Sequence, residues 1–228
     1  MLIGGLQKMT LIDYPDKIAA TVFTVGCNFR CSFCHNPDIV KNGLATITEK
    51  EFFDFLSKRK KLLEGIVITG GEPTLHRDLV DFISQIKDMG YLVKLDSNGT
   101  KPHVLKRLIK NDLIDYVAMD IKAPWSKYRD VVCRETDVSK IKESVKILKE
   151  GNVDYEFRST VLPELHSLDD LVKMARQIKG AKKYYLQQFV AGDNLMDESF
   201  SQQRPYTKKQ MNEVAREIRE WFGKCLVR

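Results

Sequence analysis

Three of the chain's five cysteines, Cys27, Cys31 and Cys34, fall within eight residues, spaced C-x₃-C-x₂-C. Two thiolates with a short loop between them can grip one metal ion. Three in a single loop can each hold a different corner of a larger object, and iron–sulfur clusters are built from irons held by thiolates. A closed structural zinc site wants four ligands, usually as two separated pairs, and no second pair occurs downstream. His35 offers a fourth donor, but as the neighbour of Cys34 it reaches the same metal only through a strained loop. A disulfide inside the loop suits a secreted protein, whereas reduced thiols are normal inside the cell. The spacing predicts a cluster, with a zinc-binding interaction module on Cys27, Cys31, Cys34 and His35 as the competing reading.

A second short stretch with chemical potential is Gly70-Gly71-Glu72-Pro73. Its glycines permit positive φ and let a ligand lie against bare backbone, and Glu72 offers a carboxylate to a cation or an amine. Standing alone, this is an ordinary turn. Both stretches follow apolar runs that read as strands, residues 18–25 before the cysteines and 66–69 before the glycines, the first of them β-branched and nearly continuous as in a strand buried on both faces.

The rest of the chain supplies elements to hold them. One or two short strands are expected within residues 2–14, closed by the turn Tyr14-Pro15-Asp16-Lys17. Thr48 precedes Glu51 by three positions, a capping box that opens a helix through about residue 59. Further helices are expected over 78–89, 101–110 (with Pro102 in its first turn), 138–149 (stopped at Gly151), 168–178 and 207–222. Strands are expected over 91–95, 114–119, 153–161 and 184–190. Strand and helix alternate six times without a Gly/Ser-rich linker. That pattern implies parallel strands with right-handed crossovers, in a barrel or an open doubly wound sheet. The unusual residues sit just after strands, where α/β barrels carry their chemistry. One domain over residues 1–228 with one site is the expectation.

The three-cysteine loop with Phe33 before its last cysteine, followed by a strand-terminal Gly-Gly-Glu-Pro, resembles the radical S-adenosylmethionine superfamily. The resemblance implies a partial (β/α)₆ barrel, here with a short N-terminal strand extension, holding a 4Fe–4S cluster. Cys27, Cys31 and Cys34 would hold three irons, and S-adenosylmethionine would chelate the fourth through its amino and carboxylate groups. Reductive cleavage would then give methionine and a 5′-deoxyadenosyl radical that abstracts hydrogen. Within the superfamily, Cys34-His35-Asn36-Pro37, Asp96-Ser97-Asn98-Gly99, Asp120-Ile121-Lys122 and Arg158 look like the activating enzymes of glycyl-radical enzymes. The opening residues 4–17, Gln187-Gln188-Phe189 and the chain length are most similar to the activating proteins of anaerobic ribonucleoside-triphosphate reductase.

On that resemblance, Gly70 and Gly71 face the methionine moiety and Glu72 receives its ammonium. Ser97 and Asn98 bond the ribose hydroxyls, and Gln188 reaches the adenosyl end. Asp96 and Asp120 end neighbouring strands, and two such carboxylates repel unless a cation lies between them; a monovalent ion or Lys122 is expected there. Lys122 and Arg158 balance carboxylate and cluster charge. Cys133 and Cys225 are expected to be ordinary free thiols, and His76, His103 and His166 to have surface or capping roles.

Net charge is +6 with the basic residues dispersed, which reads as a solvated surface rather than a nucleic-acid face. No apolar run approaches the roughly 20 residues that span a bilayer, and Lys8, Asp13 and Asp16 interrupt the opening stretch, so neither a membrane span nor a signal peptide is expected and a cytoplasmic location is. The expected partners are a glycyl-radical enzyme, most similar to the anaerobic reductase or alternatively of the formate-lyase type, and an electron donor such as a flavodoxin or ferredoxin. A radical enzyme acting on a small molecule is the alternative within the superfamily.

Overall fold

In the computed structural model, which describes residues 1–41, 46–192 and 194–228, one sheet of eight strands runs in chain order. Its strands are β1 (Ile3–Thr10), β2 (Ala19–Thr24), β3 (Gly65–Gly70), β4 (Leu92–Ser97), β5 (Tyr116–Asp120), β6 (Asp154–Val161), β7 (Lys183–Gln188) and β8 (Lys224–Val227). β2 to β8 are parallel neighbours, and β1 pairs antiparallel with β2. The helices are α1 (Pro37–Val40), α2 (Glu49–Ser57), α3 (Leu79–Asp88), α4 (Pro102–Lys110), α5 (Tyr128–Val132), α6 (Val138–Glu150), α7 (Leu168–Gln177) and α8 (Lys208–Ile218). β1 and β8 are the edges of the sheet, so of the two architectures that the alternation allowed this is the partial barrel that the resemblance implied, with its N-terminal strand added at one edge.

Side chains alternate across each strand, and the two faces differ in kind. Ala20 and Val22, Ile66 and Ile68, Val93 and Leu95, Val117 and Met119, Tyr155 and Phe157, Tyr184 and Leu186 belong to the apolar core shared with the helices. The intervening positions Lys94, Asp96, Asp120, Glu156 and Arg158 face the barrel interior, where they line cavities. A separate small cluster of Tyr14, Ala19, Val67 and Tyr116 fills the interior at the N-terminal ends of the strands. Tyr14 reaches it from the turn after β1, its ring 6.1 Å from that of Tyr116 and flush against the bare Cα of Gly65.

Local chemistry explains the boundaries. Thr48 and Glu51 form the expected capping box at α2, Pro102 opens α4 and Gly151 ends α6. The expected final helix over 207–222 is shorter: α8 stops at Ile218, a single turn follows, and the chain reverses at Gly223 into β8. At Gly223 a Cβ would lie 2.8 Å from the Lys182 carbonyl oxygen, so the reversal needs glycine. Lys224–Val227 is too short for its alternation to register in the sequence, yet it extends the sheet beyond β7 and carries Cys225.

Candidate cofactor site

The cysteine loop springs from β2 at Gly26, whose φ of 89° is left-handed. Arg30 fixes its first turn by donating from Nη1 to the carbonyls of Cys27 and Phe29, at 2.6 and 2.7 Å. The Phe29 amide donates to Cys27 Sγ at 3.3 Å. From outside, the Arg30 amide donates to Val132 O at 2.9 Å, Met196 N to Cys34 O at 2.9 Å and Asp197 N to Ser32 O at 3.1 Å. The loop is thus held by the C-terminal end of α5 on one side and the segment after β7 on the other. Cys27, Cys31 and Cys34 all line one cavity of about 220 Å³ at the C-terminal ends of the strands. Burial pushes the Cys27 thiol up to about 11 and the Cys31 thiol to about 12, so both stay protonated at neutral pH unless a metal centre displaces the proton.

Gly70 and Gly71 line the same cavity, but their bareness serves the chain first. At Gly71 a Cβ would lie 1.9 Å from Gly26 O, and at Gly70, with φ of 112°, 2.4 Å from Thr24 N. Their absent side chains let the β3 loop run directly along the root of the cysteine loop, joined by Gly71 N to Thr24 O at 2.9 Å and Glu72 N to Gly26 O at 2.8 Å. Glu72 is buried and accepts from Thr74 N at 3.1 Å, Thr74 Oγ1, Ser97 Oγ at 2.9 Å and Asn98 N at 2.6 Å. Burial pushes its carboxyl above the ordinary range, against the pull of these donors. Its carboxylate therefore braces the β3 loop to the β4 loop. The Asn98 side chain in turn donates to Asn28 Oδ1 at 2.9 Å, and Asn28 donates to Thr100 Oγ1 at 3.0 Å. Asn28, between the first two cysteines, is a site residue that the motifs alone did not single out.

Below this rim lies a chain of ion pairs. Arg158 donates from Nη1 to Asp96 Oδ2 at 3.1 Å and from Nε to Asp120 Oδ1 at 3.0 Å. Lys122 Nζ donates to Asp120 Oδ2 at 2.9 Å, and Lys94 pairs with the other oxygen of Asp96. The cation expected between the two aspartates is therefore the Arg158 guanidinium, brought there because Asp120 and Arg158 are register partners on β5 and β6. Lys122 takes only the far side of Asp120. Burial raises the Asp120 carboxyl, but attraction to Arg158 and then Lys122 outweighs it and holds the group at about 2. Burial likewise opposes the charge on Lys122, and Asp120 more than restores it. The backbone of Lys122 is clamped as well: its amide donates to Tyr128 Oη at 3.1 Å, and its carbonyl lies 2.8 Å from His166 Nε2. With the Leu162 amide 3.5 Å from Nδ1, Nε2 is the nitrogen that carries the proton and donates. His166 is fully buried rather than superficial.

Asp96, Ser97, Asn98, Asp120, Lys122, Arg158 and the three cysteines share this cavity with Gly70, Gly71 and Glu72. Gln188 does not. Its amide donates to the Tyr206 carbonyl, because Gln187 is the residue of β7 that points inward and its neighbour points out to α8. His35 stacks on Phe189, ring centres 5.6 Å apart. Among the described residues no three His, Cys, Asp or Glu side chains converge on a point that one metal ion would occupy. Three thiols, one buried and two half-buried, spread around one cavity with the Lys122 ammonium nearby to offset their charge, suit a group larger than an ion, held at separate corners. The donor set fits an iron–sulfur cluster.

Comparison with known proteins agrees. Residues 21–178 match the family model of the radical SAM superfamily. A Methanocaldococcus jannaschii protein provisionally named a glycyl-radical enzyme activating enzyme, MJ1227, is 36% identical over 235 residues, covering 100% of this chain and 95% of its own. The pyruvate formate-lyase-activating enzyme of Listeria monocytogenes is 33% identical over 131 residues, 53% of this chain and 52% of that one. Among solved structures, Streptococcus suis SuiB superposes with a TM-score of 0.69 at 11% identity, covering 90% of this chain and 48% of that chain, a likeness of fold. Members of the superfamily use a 4Fe–4S cluster and S-adenosylmethionine. The chain belongs to the radical S-adenosylmethionine superfamily and, within it, to the glycyl-radical enzyme activating enzymes.

Proposed function

We propose that this protein generates a glycyl radical on a partner enzyme, and that the partner is anaerobic ribonucleoside-triphosphate reductase. The observation that carries the reading is the single cavity on which three thiols, two strand-end loops and the Asp96–Arg158–Asp120–Lys122 chain meet. Cys27, Cys31 and Cys34 are its cluster ligands. Gly70, Gly71, Glu72, Asp96, Ser97, Asn98, Asp120, Lys122 and Arg158 surround the S-adenosylmethionine position. When bound, cluster and cofactor supply the electron and the carbon-centred radical chemistry that remove hydrogen from a glycine of the partner.

The chain's own residues hold that site still. Glu72 and Asn28 lock three loops together, so the cavity wall is set before anything binds. Phe29 and Phe33, both buried, form an apolar wall of the cavity beside the cysteines. Lys122, its ammonium aimed by Asp120 and its backbone by Tyr128 and His166, presents fixed positive charge to a carboxylate. Support for the reductase comes from the opening residues 4–17 and Gln187-Gln188-Phe189; the relative that matches from end to end supports an activating enzyme without choosing the partner. The 33% identity to a pyruvate formate-lyase-activating enzyme favours a formate-lyase-type partner as the second reading. A flavodoxin or ferredoxin in the cytoplasm supplies the electron; no helix among the described residues is long and apolar enough to cross a membrane.

The test is paramagnetic resonance on each candidate partner, mixed anaerobically with the reduced, cluster-loaded protein and S-adenosylmethionine. A glycyl radical on the reductase is the expected outcome. A radical only on the formate-lyase-type enzyme moves the assignment to that partner. No protein radical, together with cofactor cleavage that a small metabolite stimulates saturably, replaces it with small-molecule chemistry.

A further inference from the structure

Asp96 is held by two cations. Arg158 takes one carboxylate oxygen at 3.1 Å, and the Lys94 ammonium takes the other. The chain Lys94–Asp96–Arg158–Asp120–Lys122 thus sets three cations against two carboxylates. Lys94 stands in the middle of β4 with 1% of its surface exposed. A lysine is almost never withdrawn from water so completely unless it is paired. Nothing in the cofactor cavity uses it: Lys94 does not line that space. It lines a second cavity of about 440 Å³ deeper in the barrel, which shares Asp96 and Arg158 with the first and is bounded by Asp13, Glu156 and Arg228. The other charged groups there have hydrogen-bond partners of their own. Arg228 pairs with Glu156 at 3.0 and 3.3 Å, and Asp13 accepts from Thr21 Oγ1 at 2.7 Å.

The geometry points to Lys94 as a resident monovalent cation, whose ammonium occupies the place beside Asp96 that a dissolved potassium or ammonium ion would otherwise take. Asp120 has Lys122 as well as Arg158, whereas Asp96 has only its share of Arg158 besides Lys94. Without Lys94, one oxygen of Asp96 would be left without a cation beside a cavity that small cations can enter. With Lys94 in place the network needs no ion from solution. Lys94 is thereby a positioning residue: it fixes Asp96, and through it Arg158, at the wall of the cofactor cavity.

The test is the response to the identity of the monovalent cation. It rests on the proposed function only for its second readout. Thermal unfolding of the anaerobic, cluster-loaded protein is followed at equal ionic strength in choline, sodium, potassium, ammonium and methylammonium chloride. The wild type is expected to melt at one temperature in all five. Lys94→Ala, which opens room beside Asp96, is expected to melt about 5 °C or more lower in choline and to recover most of that in ammonium or methylammonium. Lys94→Met, which fills the space without charge, is expected to fall and not recover. By calorimetry, S-adenosylmethionine affinity of Lys94→Ala drops about tenfold in choline and returns with ammonium, while the wild type is indifferent.

A wild type whose melting or affinity depends on which cation is present overturns the inference. So does Lys94→Ala that is unaffected, or that ammonium fails to rescue, or that behaves as Lys94→Met does. If Lys94→Ala does not fold, Lys94→Ser, equally small, goes through the same series under the same criteria. If the wild type binds no S-adenosylmethionine in any salt, the proposed function falls while the melting series still decides the role of Lys94.

Discussion

The rim of this barrel and its interior are made by the same strands under different rules. At the rim, loops meet through backbone contacts so close that only glycine fits, as at Gly71 against Gly26 O, and one buried carboxylate, Glu72, collects four donors from three residues. No cation takes part in that brace. In the interior the contacts are between ionised side chains, with Arg158 of β6 joined to both Asp96 of β4 and Asp120 of β5. Rim contacts are short-ranged and neutral donors dominate them, so they are little affected by salt. The interior depends on charge, and its members cannot be removed singly without leaving a partner uncompensated. The rim therefore sets geometry, and the interior sets the electrostatic field beneath the cofactor.

Arg158→Met breaks the interior most directly. It leaves two carboxylates facing one another with only Lys94 and Lys122 at their outer sides. Breaking a buried pair by removing one partner costs about 3–5 kcal/mol; with Asp96 and Asp120 retaining some solvent contact, 14% and 25% by side chain, about 3 kcal/mol is expected. Urea unfolding at neutral pH measures it as a lower midpoint at unchanged slope. A loss below about 1 kcal/mol would place Arg158 with ordinary surface pairs and erase the distinction between interior and rim.

Acid titrates the same distinction. The Asp120 carboxyl sits at about 2 in the folded protein against an ordinary 3.8, because the attraction of Arg158 and Lys122 outweighs burial. A folded value below the unfolded one means that the group adds stability above about pH 4 and that this is lost as pH falls from about 4 towards 2. The shift corresponds to about 2 kcal/mol. Asp120→Asn should therefore be less stable than the wild type by roughly that amount at pH 7, and the two should converge as the pH drops through this window. Parallel curves for the two proteins would mean that the ion pair contributes nothing that titrates.

The same contrast decides what the sequence discloses. Rim residues are neighbours in the chain, so Cys27 to Cys34, Gly70 to Glu72 and Ser97 with Asn98 stand out as stretches, and each stretch does reach the one cavity. The interior network is assembled by register between strands, with Asp120 beside Arg158, and by the alternation that turns Lys94 and Asp96 the same way. Nothing local marks Lys94: it interrupts an apolar strand as a stray charge. Carboxylate repulsion correctly demanded a cation, but only the pairing of β5 with β6 identifies it as Arg158. The roles of Asn28 and His166 are hidden in the sequence for the same reason, since their partners Asn98 and Lys122 lie 70 and 44 residues away. β8 escaped because four residues carry too little periodicity to be told from a tail.

Gln187 and Gln188 put that register argument to its mildest test. Adjacent residues of a strand face opposite ways, so a shift of one position exchanges interior for exterior. Thr160, which lines the cofactor cavity, is paired with Gln187, while Gln188 is paired with Val161 of the outer core. The Gln188 amide is accordingly spent on the Tyr206 carbonyl ahead of α8. Gln188→Ala should lose that single neutral hydrogen bond, about 1 kcal/mol by urea unfolding, and leave the affinity for S-adenosylmethionine unchanged by calorimetry. A several-fold weaker affinity would show that Gln188 turns inward once the cofactor is bound, and that the boundary between rim and outer core at β7 is not the one that strand alternation draws.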